Sequence, residues 1–355
     1  AQQSGQKTFQ ALHNIKNPRT GVDFIPPLTA GLANLGPQKI STTAMSFRAE
    51  QIPDYFNWCD GESVKKQFKG EKRSLTPYVG DQGQCGCCWA YSTVTSFSDR
   101  LYIMTGKRVE FSPSWVGSCD YFPCCDEGCD GPACCGCNGG MTYLATEFLQ
   151  KVGAATEECA PFGNKDNPLA PYKGEGPIGG MEACPKNCTD KTIYKAAAQG
   201  SITDPVKMQQ EILAHGPIIG SFVVFENFLS PDSAPDWKDN NGIYVHKADD
   251  KITGGHAVVI VGWGQDPESK LKYWIIRNSW TTAWNPNNYV DSENGKLKLP
   301  GFFKIAISGL NDNRPNADVC MDSSNQFGGA VWATPDIKSF NYNSSCNGDS
   351  DCMQN

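Results

Sequence analysis

Apolar residues recur with helical spacing along the first half of the chain and gather into short runs along the second. Ala90, Val94, Phe97 and Leu101 follow one another at intervals of four, three and four, which predicts a helix that starts at Cys88 or Trp89 and ends at Gly106. Leu144, Phe148 and Val152 share one face of a second predicted helix over 141–152, with Gly153 behind it. Asp204 can cap a third helix, Pro205 suits its first turn, and Gly216-Pro217 stops it after His215. Beyond it, residues 218–225, 256–263, 272–277 and 302–307 are rich in Val, Ile and aromatics, which predicts strands. Helices come first and strands second, without regular alternation. That order favours an α+β fold with two segregated subdomains over a doubly wound sheet.

Residues 1–51 carry no cysteine and hold Pro18, Pro26, Pro27 and Pro37 among short apolar runs, so they read as an extended arm or linker. The chain starts at Ala1 with no Met and no apolar leader, from which a removed targeting peptide is expected. No stretch approaches the roughly 20 apolar residues that span a bilayer, so no membrane role is expected.

Charge and cysteine content narrow the picture. With 31 basic against 38 acidic residues the net charge is −7, and the basic residues form no run or stripe, which argues against nucleic acid as a partner. Of the 17 cysteines in the 355 residues, seven fall between Cys119 and Cys137. An oxidising compartment would make disulfides of them. Asn187-Cys188-Thr189 and Asn343-Ser344-Ser345 are glycosylation sequons, at Asn187 and Asn343, and fit a secreted chain. Cys134 and Cys137 have zinc-like spacing, but the sequons and the cysteine total favour disulfides, and no metal or cofactor is expected. An odd total leaves one thiol over, which needs a reason.

The stretch Gln82-Gly83-Gln84-Cys85-Gly86-Cys87-Cys88-Trp89 supplies one. A cysteine in the first turn of a helix sits where backbone N–H groups and the helix dipole favour a thiolate. Gln82, six residues earlier, can aim a side-chain N–H at the oxyanion that forms when a carbonyl is attacked. This stretch resembles the papain/cathepsin family of cysteine peptidases, with Cys87 where that family has Ser or Ala. Three further resemblances follow in the family's order. They are Cys137-Asn138-Gly139-Gly140, Gly254-Gly255-His256-Ala257-Val258, and Tyr273-Trp274-Ile275-Ile276-Arg277-Asn278-Ser279-Trp280.

The resemblance implies a papain-like fold of two halves, one helical and one barrel-like, with the active site in the cleft between them. It covers residues 52–334, divided into a helical half over 75–200 and a strand-rich half over 201–334, with a cysteine-containing tail at 335–355. It implies Cys88 as nucleophile, His256 as its base, Asn278 as the residue that orients the imidazole, and Gln82 as oxyanion donor. Gly139 and Gly140 would form a substrate-binding wall, and Trp280 would shield the His256–Asn278 bond and border the substrate site. It also implies disulfides Cys85–Cys137 and Cys119–Cys159. Expected partners are protein or peptide substrates and cystatin-type inhibitors, for a monomer in a secreted or lysosomal/vacuolar lumen.

Details such as Ser98-Asp99-Arg100-Leu101 and Gly301-Phe302-Phe303-Lys304-Ile305 are similar to cathepsin B, while Trp58 with Gly61 is similar to cathepsin Z. The insert from Cys159 to Cys188 lacks the histidine pair of the cathepsin B occluding loop, which favours endopeptidase action. Glu50-Gln51-Ile52-Pro53 is similar to the junction where the active enzymes begin, so 1–51 reads as a short propeptide. After Trp280 the family's glycine-rich stretch is replaced by Thr281-Thr282-Ala283-Trp284-Asn285-Pro286 and an insertion to Pro300, on the primed side of the expected cleft. That replacement, Cys87 and the tail leave a catalytically inactive papain-fold binding protein as the rival reading. A thioredoxin-like reading of Cys85-x-x-Cys88 lacks the βαβ pattern it needs.

Overall fold

The computed structural model describes residues 52–119, 136–163, 181, 183–185, 193–231, 237, 240–245, 251–292, 294–307 and 330–337. The arm at 1–51, most of the cysteine cluster, Asn187, Asn343 and most of the C-terminal tail lie outside these residues. The described helices are α1 (Gly61–Phe68), α2 (Cys88–Thr105), α3 (Pro113–Cys119), α4 (Thr142–Lys151) and α5 (Pro205–His215). None is long and apolar enough to cross a membrane.

The strands are β1 (Phe56–Asn57), β2 (Ala196–Ile202), β3 (Ile218–Phe225), β4 (Ile243–Tyr244), β5 (Ile252–Gln265), β6 (Lys272–Arg277), β7 (Tyr289–Ser292), β8 (Gly295–Lys298), β9 (Phe302–Ala306) and β10 (Ala330–Pro335). Eight of them form one sheet in the order β2-β10-β3-β5-β6-β9-β4, with β1 paired to β5 off that path. Pairing is antiparallel except between β4 and β9, and β7 and β8 make a separate hairpin within the insertion after Trp280.

The helix ends follow the sequence logic. Gly106 closes α2 in a left-handed conformation, φ +75°, and donates its N–H to Tyr102 O. The Asp204 side chain accepts from Lys207 N at 2.8 Å, with Pro205 as the first residue of α5. β1, β2, β4, β7, β8 and β10, with helices α1 and α3, escape the periodicity reading. Ala196–Ile202 contains Gly200 and three alanines, and its strand form comes from pairing with β10 across 128 to 139 residues of sequence separation (Ala330↔Ile202 to Pro335↔Ala196). The subdomain boundary expected at residue 200 therefore falls within a strand.

Two large hydrophobic cores lie among the described residues, beside a small cluster around Cys85 and Cys87. The larger one packs Trp58, Phe222, Phe228, Trp263, Trp274 and Phe303 around the sheet. The smaller one packs Trp89, Phe97, Leu101, Phe111, Phe148 and Leu149 among the helices. Between them runs α2, buried on nearly every side. Its polar residues are drawn into the seam as well. The Arg100 guanidinium is wholly buried and donates to Pro217 O at 2.7 Å, Thr334 Oγ1 at 3.0 Å and Glu211 Oε1 at 2.9 Å. Asp99 pairs with Arg277 at the end of β6, and both side chains are 2% exposed.

Disulfides bind the helical half. Cys85 is bonded to Cys137, with Cα atoms 4.5 Å apart. The expected Cys119–Cys159 pair is not formed: Cys119, at the end of α3, is bonded to Cys184, with Cα atoms 5.0 Å apart. Cys159 is itself disulfide-bonded, but to another cysteine. A bridge needs Cα atoms within about 7 Å and converging Cβ vectors, which sequence spacing does not supply.

The Asp99–Arg277 seam yields a stability prediction. Removing one partner of a buried pair leaves the other charge uncompensated, so Asp99→Ala should cost about 3–5 kcal/mol. Equilibrium urea unfolding measures this, and a loss below about 1 kcal/mol would contradict the buried-pair reading.

Candidate active site

Cys88 is the first residue of α2, with Cys87 at the cap position and no side chain capping the helix. The first-turn N–H groups of a helix lack intrahelical partners, and their partial positive charge favours an anion. Ala257 N, on β5, donates to Cys88 Sγ at 3.4 Å, so the thiol lies against the residue that follows His256. Both Cys88 and His256 are fully buried.

His256 Nε2 and Asn278 Oδ1 are 2.8 Å apart. The same Asn278 oxygen accepts from Ser279 N at 2.8 Å, which fixes the orientation of the amide. With an oxygen facing it, Nε2 carries the proton, and Nδ1 is left with the lone pair that a base needs. Nδ1 is buried and has no hydrogen-bond partner among the described residues. Trp280 stacks on the imidazole at 4.5 Å and 25°, and Phe222 meets it edge-on at 5.8 Å. Burial pushes the imidazole down to about 4, while the Asn278 bond pulls the other way.

Gln82 reaches the same place through a short antiparallel contact. Its N–H donates to Ser279 O at 2.9 Å, and Thr281 N donates to Gly80 O at 3.0 Å, so residues 80–82 run alongside 279–281. The Gln82 amide is held at both ends: Nε2 donates to Cys85 O at 2.8 Å, and Oε1 accepts from Ser279 Oγ. Ser279 thus positions Gln82 through its hydroxyl and Asn278 through its N–H, a double role that nothing in the sequence singles out beyond its place between Asn278 and Trp280.

The two candidate thiols differ sharply. Cys87 is packed among Cys85, Cys137 and Met181, and burial pushes its thiol well above its ordinary value. Cys88 instead receives the Ala257 N–H at a helix terminus. Gly139 has φ +117°, and a Cβ on Gly140 would lie 2.5 Å from the Trp89 ring, so this wall requires glycine at both positions. Trp89 Nε1 donates to Gly136 O at 3.1 Å, and Gly86 N to Cys137 O at 3.0 Å, so the glycine wall is tied to the Cys88 loop. His215 takes no part: it bonds Glu211 at 3.0 Å on α5. His13 and His246 lie outside the described residues.

Residues 64–306 match the family described as papain family cysteine protease. Among curated relatives, the chain is 33% identical over 248 residues to cathepsin B-like CP3 of Giardia intestinalis, spanning 68% of this chain and 69% of that one. It is 32% identical to cathepsin B of Dictyostelium discoideum, over 67% of this chain and 68% of the relative. With cathepsin B-like cysteine proteinase 6 of Caenorhabditis elegans it shares 31%, over 67% of this chain and 61% of that one. The fold is similar to that of procathepsin B S9 from Trypanosoma congolense, with a TM-score of 0.57 at 20% identity, covering 90% of this chain and 87% of that structure. The chain belongs to the papain family of cysteine proteases, and its relatives there are cathepsin B-like.

Proposed function

We propose that this chain hydrolyses peptide bonds by covalent catalysis at Cys88, as an endopeptidase of an acidic lumen that residues 1–51 hold latent. The observation that carries the reading is the meeting of helix-terminal Cys88 Sγ with Ala257 N at 3.4 Å, one residue from an imidazole tied to Asn278 at 2.8 Å. In this reading His256 Nδ1 takes the thiol proton, and the thiolate attacks the scissile carbonyl carbon. The resulting oxyanion is met by Gln82 Nε2–H and the Cys88 N–H. The imidazolium then protonates the leaving amine, leaving a thioester. His256 next deprotonates a water, which attacks the thioester and releases the acid and the thiolate. Asn278 holds the tautomer throughout, and Trp280 keeps water off that bond. The missing histidine pair between Cys159 and Cys188 supports internal cleavage rather than removal of C-terminal dipeptides.

Three outcomes test this. Cys88→Ser and His256→Ala should each lower kcat/KM on a fluorogenic peptide by about four orders of magnitude or more, with circular dichroism unchanged. Full activity in either variant would defeat the mechanism, whereas no hydrolysis by the folded, unaltered chain starting at Ile52 would favour the inactive-relative reading. Since His256 is held down at about 4, the imidazole is neutral and able to accept the thiol proton above that value, and protonated below it. The acid limb of kcat/KM should therefore rise through about pH 4; a limb near the ordinary histidine value of about 6.5 would contradict the buried imidazole. Finally, an epoxysuccinyl inhibitor should label Cys88 in a chain starting at Ile52 and spare it in the whole chain. Equal labelling of both would mean that the arm is not inhibitory.

A further inference from the structure

Apart from the catalytic cluster, a cavity of about 440 Å³ opens on the strand side, within the roughly 300–1,000 Å³ range of small-molecule sites. Its walls come from the Asn241 loop, the turn after β5 that holds Asp266, and the insertion after Trp280. Lys304 on β9 lies beneath them, only 7% exposed. Its Nζ donates to Asn241 O at 2.8 Å and sits 5.2 Å from the centre of the Tyr273 ring. An ammonium has three hydrogens, so this buried cation keeps donor capacity beyond that bond.

Acceptors stand opposite it and are fixed in place. Asp266 Oδ1 accepts from Ser269 N at 2.7 Å, Ser269 Oγ at 2.8 Å and Glu268 N at 3.2 Å, while Oδ2 accepts from Asn241 Nδ2 at 3.2 Å. Asp291 accepts from Tyr273 Oη at 3.0 Å. Asn285 and Asn288, 9% and 5% exposed, turn their Nδ2 groups to Phe302 O at 2.8 Å and Leu299 O at 3.2 Å, which leaves each amide an oxygen as acceptor.

Charge and shape then select the ligand. Three carboxylates, Asp266, Glu268 and Asp291, face two ammoniums, Lys296 and Lys304, so neither a cation nor an anion is strongly favoured. An apolar molecule would leave the further Lys304 N–H groups and the amide oxygens of Asn285 and Asn288 unmet, at about 1–3 kcal/mol for each group. A sugar answers both constraints, because each hydroxyl donates and accepts and the C–H face of its ring packs on an aromatic. Tyr289, 44% exposed among the lining residues, offers that aromatic. We propose that this cavity binds a neutral mono- or disaccharide. The insertion that builds it is the segment that stands where the family has its glycine-rich stretch. Its wall residue Trp237 packs 6.1 Å from Trp284, which lies 5.3 Å from Trp280 over His256, so the cavity and the catalytic face share one aromatic layer.

Saturation-transfer NMR on the Cys88→Ala chain, with N,N′-diacetylchitobiose, mannobiose and lactose as probes, tests binding independently of catalysis. Transfer to at least one sugar is expected, with affinity at least tenfold weaker in chains that also carry Tyr289→Ala or Asn287→Ala. These two exposed positions are chosen because their loss should not disturb folding, which circular dichroism checks. No transfer to any of the three, or equal affinity in the variants, overturns the proposal. A second arm separates a free sugar from a substrate glycan, and it alone rests on the peptidase reading. Faster hydrolysis of a glycoprotein than of its deglycosylated form, lost on Tyr289→Ala, assigns a substrate glycan. Equal hydrolysis with oligosaccharide binding retained assigns a free sugar.

Discussion

The docking of α2 against the strand-rich half is the contact on which the rest of the molecule depends. Asp99 and Arg277 meet across that seam with almost no exposure, and Arg100 reaches from the same helix to Pro217 O, Thr334 and Glu211. Two buried charges stabilise a fold weakly, because their desolvation offsets much of their attraction. Their effect is on geometry, since displacing either one strands the other. Arg277 is followed directly by Asn278, and Asp99 lies eleven residues along the helix from Cys88. Anchoring the pair therefore sets the Cys88 thiol and the Asn278 amide in one frame.

Around that frame, aromatic burial controls the chemistry of the imidazole. Trp280 stacks on His256, Phe222 meets it edge-on, and Trp284 packs on Trp280 at 5.3 Å. In so dry a setting the charged imidazolium is disfavoured, which is why burial outweighs the Asn278 bond and holds His256 near 4. A thiolate beside the ring would pull in the opposite sense, as any anion does to a neighbouring base. Trp284 belongs to the segment that departs from the family's glycine-rich pattern, and it extends the same apolar cover towards Trp237 and Phe303. The departure thus adds packing behind His256 and Trp280 and builds a wall of the strand-side cavity.

Much of this was legible from residues alone. The extents of β3 and β6, the cap at Asp204 and the stop at Gly106 follow from apolar spacing and from Pro, Gly and Asp at element ends, which act over a few residues. Cys88, His256, Asn278 and Gln82 stood out because each lies in a short stretch whose neighbours share its resemblance. Local pattern also marked Gly139 and Gly140, although the reason for the second, the Trp89 ring against its Cα, is a tertiary contact.

Other features had no local signature. The β2–β10 pairing joins an alanine-rich segment to residues more than a hundred positions away, and Cys119 selects Cys184 over Cys159. Ser279 holds Gln82 only because residues 80–82 and 279–281 run side by side. The sequence by itself determined which residue types stand at helix starts, at strand cores and in the stretches that resemble the family, since propensity and spacing are properties of neighbours. The tertiary structure alone decided which cysteines bond, which strands close the sheet and which charge meets Arg277. Those choices depend on distances that arise only once loops of tens to hundreds of residues have been closed.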